Sequence, residues 1–127
     1  NPPMLTIPGI GIDSAAVILA EFGDFSKYES PAQLLSFAGM EPGYFQSGTS
    51  ESTGRMVKHG SSYLRYTLMN CARSVVNYEP TFAEYYAKKR AEGKSYRVAL
   101  SHTAKKLIRV LFTIQTKNLV YNPDSMR

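Results

Sequence analysis

Along the second half of the chain, apolar residues recur at three- and four-residue intervals, the spacing of one face of an α-helix. Leu64, Leu68, Cys71, Ala72 and Val75 form one such series and predict a helix capped by Ser61 or Ser62 and running to about Tyr78. Pro80 opens the next, which carries Phe82, Tyr85, Tyr86 and Lys89 before Gly93 ends it. Ser95 is placed to cap the longest helix, expected to reach about Lys117 with Leu100, Ala104, Leu107, Leu111 and Ile114 as its buried stripe. The first half is more broken. Asn1-Pro2-Pro3 reads as an extended lead-in, because prolines deny a helix its interior. Leu5 to Gly11 then read as a tight, glycine-containing turn, and Asp13 as the N-cap of a helix over residues 14–22, with Gly23 beyond its end. Ser30, Pro31 and Gln33 fit the N-cap, first and third positions of a short helix that ends near Ala38, before Gly39 and Pro42.

Residues 43–58 interrupt the helical pattern. Tyr44-Phe45 and Met56-Val57 flank Ser47-Gly48-Thr49-Ser50-Glu51-Ser52-Thr53-Gly54, a polar loop or the turn of a short β-hairpin. The expected fold class is therefore mainly α: a compact helical domain with a hairpin-like turn near its start and one polar excursion in the middle.

Composition narrows the classes. A chain of 127 residues with 43% hydrophobic content can bury a core of its own, and its longest apolar run, Ala15 to Ala20, is far short of the about 20 residues that span a bilayer. No secretory signal is visible, and a chain opening on Asn1 reads as a piece of something longer. The single cysteine, Cys71, excludes an internal disulfide framework and fits a reducing, cytoplasmic setting. His59 and His102 lie far apart with no cysteine partners, which argues against a zinc site, and no metal ligands are assigned. Charge changes the picture most. Residues 1–54 hold one basic and six acidic residues, a net of −5, whereas residues 55–127 hold fourteen basic and four acidic, a net of +10. So polarised a distribution makes a polyanion the leading partner of the second part; a solvated, lysine-rich helical surface is the plain alternative.

Two segments carry candidate chemistry. Ile7-Pro8-Gly9-Ile10-Gly11 before a helix has the hairpin signature of helix-hairpin-helix DNA-binding modules over residues 5–40. Gly9 and Gly11 would let the backbone approach a phosphate, and the next helix would offer its free N–H groups and positive dipole end. The competing reading is a hairpin that only packs two helices; a dinucleotide fingerprint is disfavoured because the third glycine and a βαβ unit are missing. The second segment offers five hydroxyls between Ser47 and Thr53 and leads into Arg55, Lys58, His59 and Arg65. A hydroxyl beside cations suits phosphoryl transfer through a serine, with the cations stabilising the developing charge. On composition alone a solvated turn remains the commoner outcome, and His59 is the only base nearby in sequence. Tyr78, Tyr85, Tyr86, Tyr96 and Tyr121 lie among the basic residues as nucleophile or base-stacking candidates, with core or half-buried packing the expected role for most. Lys88-Lys89-Arg90, Lys94, Arg97 and Lys105-Lys106-Arg109 read either as a stripe that tracks a phosphate backbone or as two solvated helix faces.

Taken in order, these motifs resemble one family: the C-terminal domain of DEDD-type insertion-sequence transposases, insertion-sequence family one-hundred-and-ten, related to the Piv DNA invertases. The resemblance runs from Ile7-Pro8-Gly9-Ile10-Gly11 through Ala16, Ile18 to Glu21, Gly23-Asp24, Leu34 to Gly39, Pro42 and Ser47-Gly48. It continues through Lys58, Gly60, Leu64-Arg65, Leu68 and Ala72 to Ala99, Ala104 and Lys106-Leu107. It implies a single domain over 1–127, with the serine loop at 43–58 and a helical bundle at 61–117, belonging to a bacterial DNA recombinase. It further implies that Ser47 becomes transiently linked to DNA, with Gly48, Arg55, Lys58, His59 and Arg65 among the phosphate contacts. An RuvC-like domain, absent from this chain, would hold Mg²⁺, and no cofactor would be bound here. The partners implied are DNA, a structured guide (bridge) RNA, the RuvC-like domain and further copies in a homo-oligomer, with no membrane. Two features differ from the family pattern: no basic residue lies between Thr49 and Thr53, and His59 stands where a second basic residue usually follows the lysine. A non-catalytic nucleic-acid-binding and assembly module is the alternative reading.

Overall fold

A computed structural model describes residues 2–40 and 62–125. The serine loop, with Ser47, Gly48, Arg55, Lys58 and His59, and the β-hairpin expected within it lie outside the described residues. Five α-helices are described: α1 (Ile12–Phe22), α2 (Pro31–Phe37), α3 (Ser62–Tyr78), α4 (Pro80–Ala91) and α5 (Tyr96–Lys117). Single 3-10 turns, Pro3–Thr6 and Phe25–Lys27, precede α1 and α2. Among the described residues there is no strand, and the mainly α expectation holds.

The helix ends show where local chemistry decides and where it yields. Ser95 caps α5 as expected, its hydroxyl accepting from the Val98 N–H at 3.3 Å, and Asn118 closes the helix in the left-handed region at φ 54°. Ala38, Gly39 and Met40 end α2: Gly39 takes φ 72°, its N–H donates to the Ser36 carbonyl, and the Met40 N–H reaches back to Leu35 at 2.8 Å. Two expectations are corrected. Asp13 is not the N-cap of α1. Gly11 is, in an extended conformation, and the helix starts at Ile12 with Asp13 in its first turn, where a carboxylate complements the positive dipole end. Ser30 is the N-cap of α2 and Pro31 its first residue, as expected; the Ser30 side chain makes no cap bond, and the Gln33 carbonyl accepts from the N–H of Glu29, one residue before it, at 2.6 Å. The lead-in is extended at Pro2, but Pro3 is already the first residue of a 3-10 turn, for which its fixed φ is suited.

α5 is the centre of the domain. It packs on α2, α3, α4 and both 3-10 turns, while α1 lies on α3. Leu100, Ala104, Leu107, Leu111 and Ile114 are buried as the periodicity requires, and so are Ala99, Thr103, Ile108 and Val110. A helix with neighbours on several sides buries a wider arc than a surface helix does. Against it stand Leu64, Leu68, Ala72 and Val75 of α3, Phe82 of α4, Phe22 of α1, Leu34 of α2 and Met4 of the first turn, all with almost no exposed area. Each of these fully buried side chains, Ala72 with its single methyl excepted, contributes about 1.5–3 kcal/mol. Cys71 belongs to this interior, and burial pushes its thiol pKa up, partly offset by a hydrogen bond from Ser14.

The chain ends are tied to this core by polar contacts. The Met4 N–H donates to the Gln115 side-chain carbonyl at 2.9 Å, and the Tyr121 N–H donates to the Thr6 hydroxyl at 2.8 Å. Glu79 is the N-cap of α4 and is only 5% exposed; its Oε2 accepts from the Thr81 N–H at 2.7 Å and the Tyr121 hydroxyl at 3.0 Å, while the Tyr121 ring stacks on Phe82. Glu79→Ala is expected to cost about 2–3 kcal/mol, because it strands two buried donors at once. That corresponds to a midpoint roughly 10 °C lower in a thermal melt. Glu79→Gln keeps an acceptor and should lose less than half as much; equal losses for the two variants would refute the acceptor role.

Candidate nucleic-acid interface

The hairpin divides its two glycines between different tasks. Gly9 adopts φ 106°, and a Cβ placed on it would lie 3.0 Å from the backbone N and Cα of Val75 in α3. Its carbonyl accepts from the Ser74 hydroxyl at 2.7 Å. Gly9 therefore seats the hairpin directly on α3. Gly11 faces open space, with nothing within 4 Å of where a Cβ would stand, and sits at the exposed start of α1. Of the pair, only Gly11 leaves room for a ligand beside its backbone. The element before the turn is a single 3-10 turn rather than a full helix, so the unit is turn, hairpin, helix.

Arg65 is half-buried near the start of α3, where Nη1 donates to the Ala38 carbonyl at 3.4 Å. It thus braces the C-terminal end of α2, a favourable place for a cation. Of the other candidates in the serine segment, none lies within the described residues, so Arg65 and the hairpin glycines are the ones that can be placed.

Lys89 from α4 and Lys106 from α5 meet on one face, while Arg97 at the start of α5 lies elsewhere. The ammonium groups of Lys89 (α4) and Lys106 (α5) lie 5.3 and 5.1 Å from the centre of the same Tyr85 ring, each within cation–π range. Glu92 pairs with both Lys89 and Lys94 at 3.4 Å. Exposed pairs of this kind add little stability, but they hold the lysines in register. His102 sits half-buried among them, and its pKa is lowered by burial first and then by Lys105, Lys89 and Lys94, against a smaller opposing effect of Glu92. Burial and then Arg109 lower Lys106 in the same direction. Both shifts arise first from burial, and the like charges beside these groups add to it, so a polyanion would be favoured on this face.

The tyrosines divide. Tyr121 is buried, Tyr85 and Tyr86 are half-buried, and Tyr78 and Tyr96 are exposed. Sequence reasoning missed the pairing of Lys89 and Lys106 on Tyr85. The i, i+4 spacing of Tyr85 and Lys89 was a readable signal, but the contact across to Lys106 depends on how two helices dock. Among the described residues no group of three or more His, Cys, Asp or Glu side chains is arranged to hold a metal ion, and no helix is long and apolar enough to cross a membrane.

Comparison with known proteins gives the surface its context. The family model described as Transposase IS116/IS110/IS902 matches residues 2–87, from the first turn into α4. An uncharacterized 43.6 kDa protein of insertion element IS110 from Streptomyces coelicolor is 32% identical over 95% of this chain and 30% of its own length. The transposase for insertion sequence element IS1328 from Yersinia enterocolitica is 27% identical over 94% of this chain and 36% of its own. A pilin gene-inverting protein of Moraxella bovis is 28% identical over 91% and 36%. No solved structure matches. The chain spans about a third of the length of these relatives. Since the family model covers well over half of the residues, and the relatives carry the likeness on through α5, the chain belongs to the transposase IS116/IS110/IS902 family.

Proposed function

We propose that this chain is the serine-bearing part of a DNA recombinase. The family match is the observation that carries this reading, because the matched residues, 2–87, include Ser47-Gly48 and the cations that follow. Ser47 is the nucleophile. Its Oγ forms a bond to a DNA phosphorus as a bridging P–O bond breaks; the serine proton ends on the departing sugar oxygen, and one DNA end stays linked to the protein. Arg55, Lys58 and Arg65 hold the scissile phosphate and balance the charge that builds on its oxygens. The lysine face of α4 and α5 grips the backbone of DNA or of a structured guide RNA, without reading base sequence.

In this reading Mg²⁺ is held by an RuvC-like domain outside the chain, and subunits pair to bring the two half-sites together.

The test is a covalent trap. Full-length protein, Mg²⁺, guide RNA and nicked suicide DNA are run on a denaturing gel, and the adduct is digested and mapped. An adduct on the peptide holding residues 43–58 supports the reading. Mapping to a tyrosine moves the nucleophile, and DNA cleavage without any adduct leaves the chain as a non-catalytic grip.

A further inference from the structure

A second cationic surface lies apart from the lysine face and shares no residue with it. Between α3 and the first turn of α5 opens a groove of about 590 Å³. Arg65, Arg73 and Arg97 line it with the rings of Tyr66 and Tyr96; Met69 and Leu100 contribute apolar surface, and among the described residues no acidic side chain lines it. Its size falls within the range of about 300–1,000 Å³ typical of ligand pockets.

Three observations identify what such a groove takes. First, two of its aromatic residues are exposed, Tyr66 at 63% and Tyr96 at 46%, and both stand on the same cleft. Second, Tyr96 is held in place before any ligand arrives. Arg73 donates its Nε–H to the Tyr96 hydroxyl at 3.0 Å, Tyr86 meets the Tyr96 ring edge-on at 6.3 Å, and Arg73 is itself steadied by the Asn70 side-chain carbonyl. A fixed ring costs little entropy to use. Third, guanidinium groups flank the rings, and arginine both chelates phosphate oxygens and stacks on planar groups. A flat π-face beside fixed cations suits a planar base with its own phosphates. A duplex hides the faces of its bases in its own stack, whereas an unpaired strand presents them.

We propose that the groove between α3 and α5 binds an unpaired nucleic-acid strand, with a base stacked on Tyr96 or Tyr66 and flanking phosphates on Arg73 and Arg97. This rests on the reading of the chain as a nucleic-acid-handling domain and adds to it a second site and the form of the ligand. Single-stranded RNA and single-stranded DNA share the chemistry, so both belong in the test.

Fluorescence anisotropy of the full chain with labelled oligouridylate, oligothymidylate and duplex DNA of equal length makes the measurement, with uridine monophosphate as competitor. Tyr96→Ala is expected to weaken single-strand binding about tenfold or more and duplex binding less than about twofold. Tyr96→Phe, which keeps the ring but loses the bond from Arg73, should weaken single-strand binding less than Tyr96→Ala does. Arg97→Gln should reduce the salt slope for single strands by about 0.7, one phosphate contact. The stronger of the two single-strand signals says whether RNA or DNA is preferred. Photocrosslinking of a 5-iodouracil strand to the unaltered chain should label Tyr96 or Tyr66, which decides the matter even if a variant fails to fold. Labelling confined to Tyr85, unchanged single-strand affinity in a folded Tyr96→Ala, or competition by the mononucleotide as effective as by the strand would each overturn the proposal. Duplex binding without single-strand binding defeats this inference alone; binding of neither defeats the nucleic-acid reading with it.

Discussion

Gly9→Ala is expected to destabilise the domain by about 3 kcal/mol, while Gly11→Ser, two residues on, leaves it unchanged or slightly more stable. Two costs combine at Gly9. Its φ of 106° lies where an L-residue is strained, at about 1–3 kcal/mol. The added methyl would also stand 3.0 Å from the Val75 N and Cα, which are helix backbone and cannot swing aside as a side-chain tip could. Relief requires the hairpin to lift from α3. That lengthens the 2.7 Å bond from Ser74 and loosens Ile7 and Ile10, which are almost fully buried on either side of the turn. Gly11 meets neither cost. It has an ordinary extended conformation and open surroundings, and it occupies an N-cap position where a serine hydroxyl outperforms glycine by a few tenths of a kcal/mol. Urea unfolding of the two variants measures the contrast. A Gly9→Ala midpoint within error of the parent would show that the hairpin can leave α3 without loss, and the packing role would be wrong.

Against a total stability of about 5–15 kcal/mol, one glycine thus carries a large share, and the sequence alone did not assign it to packing. Gly9 and Gly11 look alike in Ile7-Pro8-Gly9-Ile10-Gly11; only the approach of α3, more than sixty residues later, separates them. The same rule covers the other surprises. Helix types and most ends were readable, because caps such as Ser95 and stripes such as Leu100 to Ile114 act within a few residues. Glu79 bonded to Tyr121, Met4 to Gln115, and Lys106 set over Tyr85 are pairings across 42, 111 and 21 positions that leave no local period. For the same reason the basic runs were visible while the meeting of Lys89 and Lys106 was not, and Arg73 gave no hint of Tyr96. The serine segment is legible in a different way: its chemistry is read from the order of motifs through the chain, not from any contact.

On the proposed chemistry, Ser47→Ala in the full-length protein is expected to reduce strand transfer by at least about a thousandfold, with DNA affinity and thermal midpoint close to the parent. Removing a nucleophile deletes the bond that the reaction must form, and no amount of residual binding replaces it. Arg55→Gln and Lys58→Gln should behave differently from Ser47→Ala and from each other's ground-state expectation. A cation that only grips DNA contributes equally before and during reaction, so its loss raises Kd and leaves the rate at saturating DNA unchanged. A cation aimed at the scissile phosphate meets more negative charge in the transition state than in the substrate. Its removal should therefore cost about 10²–10³ in rate while weakening binding by about tenfold at most. Single-turnover rates and equilibrium Kd on the same DNA, measured for all three variants, separate the cases. Rate losses that vanish when DNA is saturating would place Arg55 and Lys58 among the backbone contacts, and strand transfer by Ser47→Ala would take the chemistry out of this loop altogether, leaving the basic face of α4 and α5 as the chain's contribution.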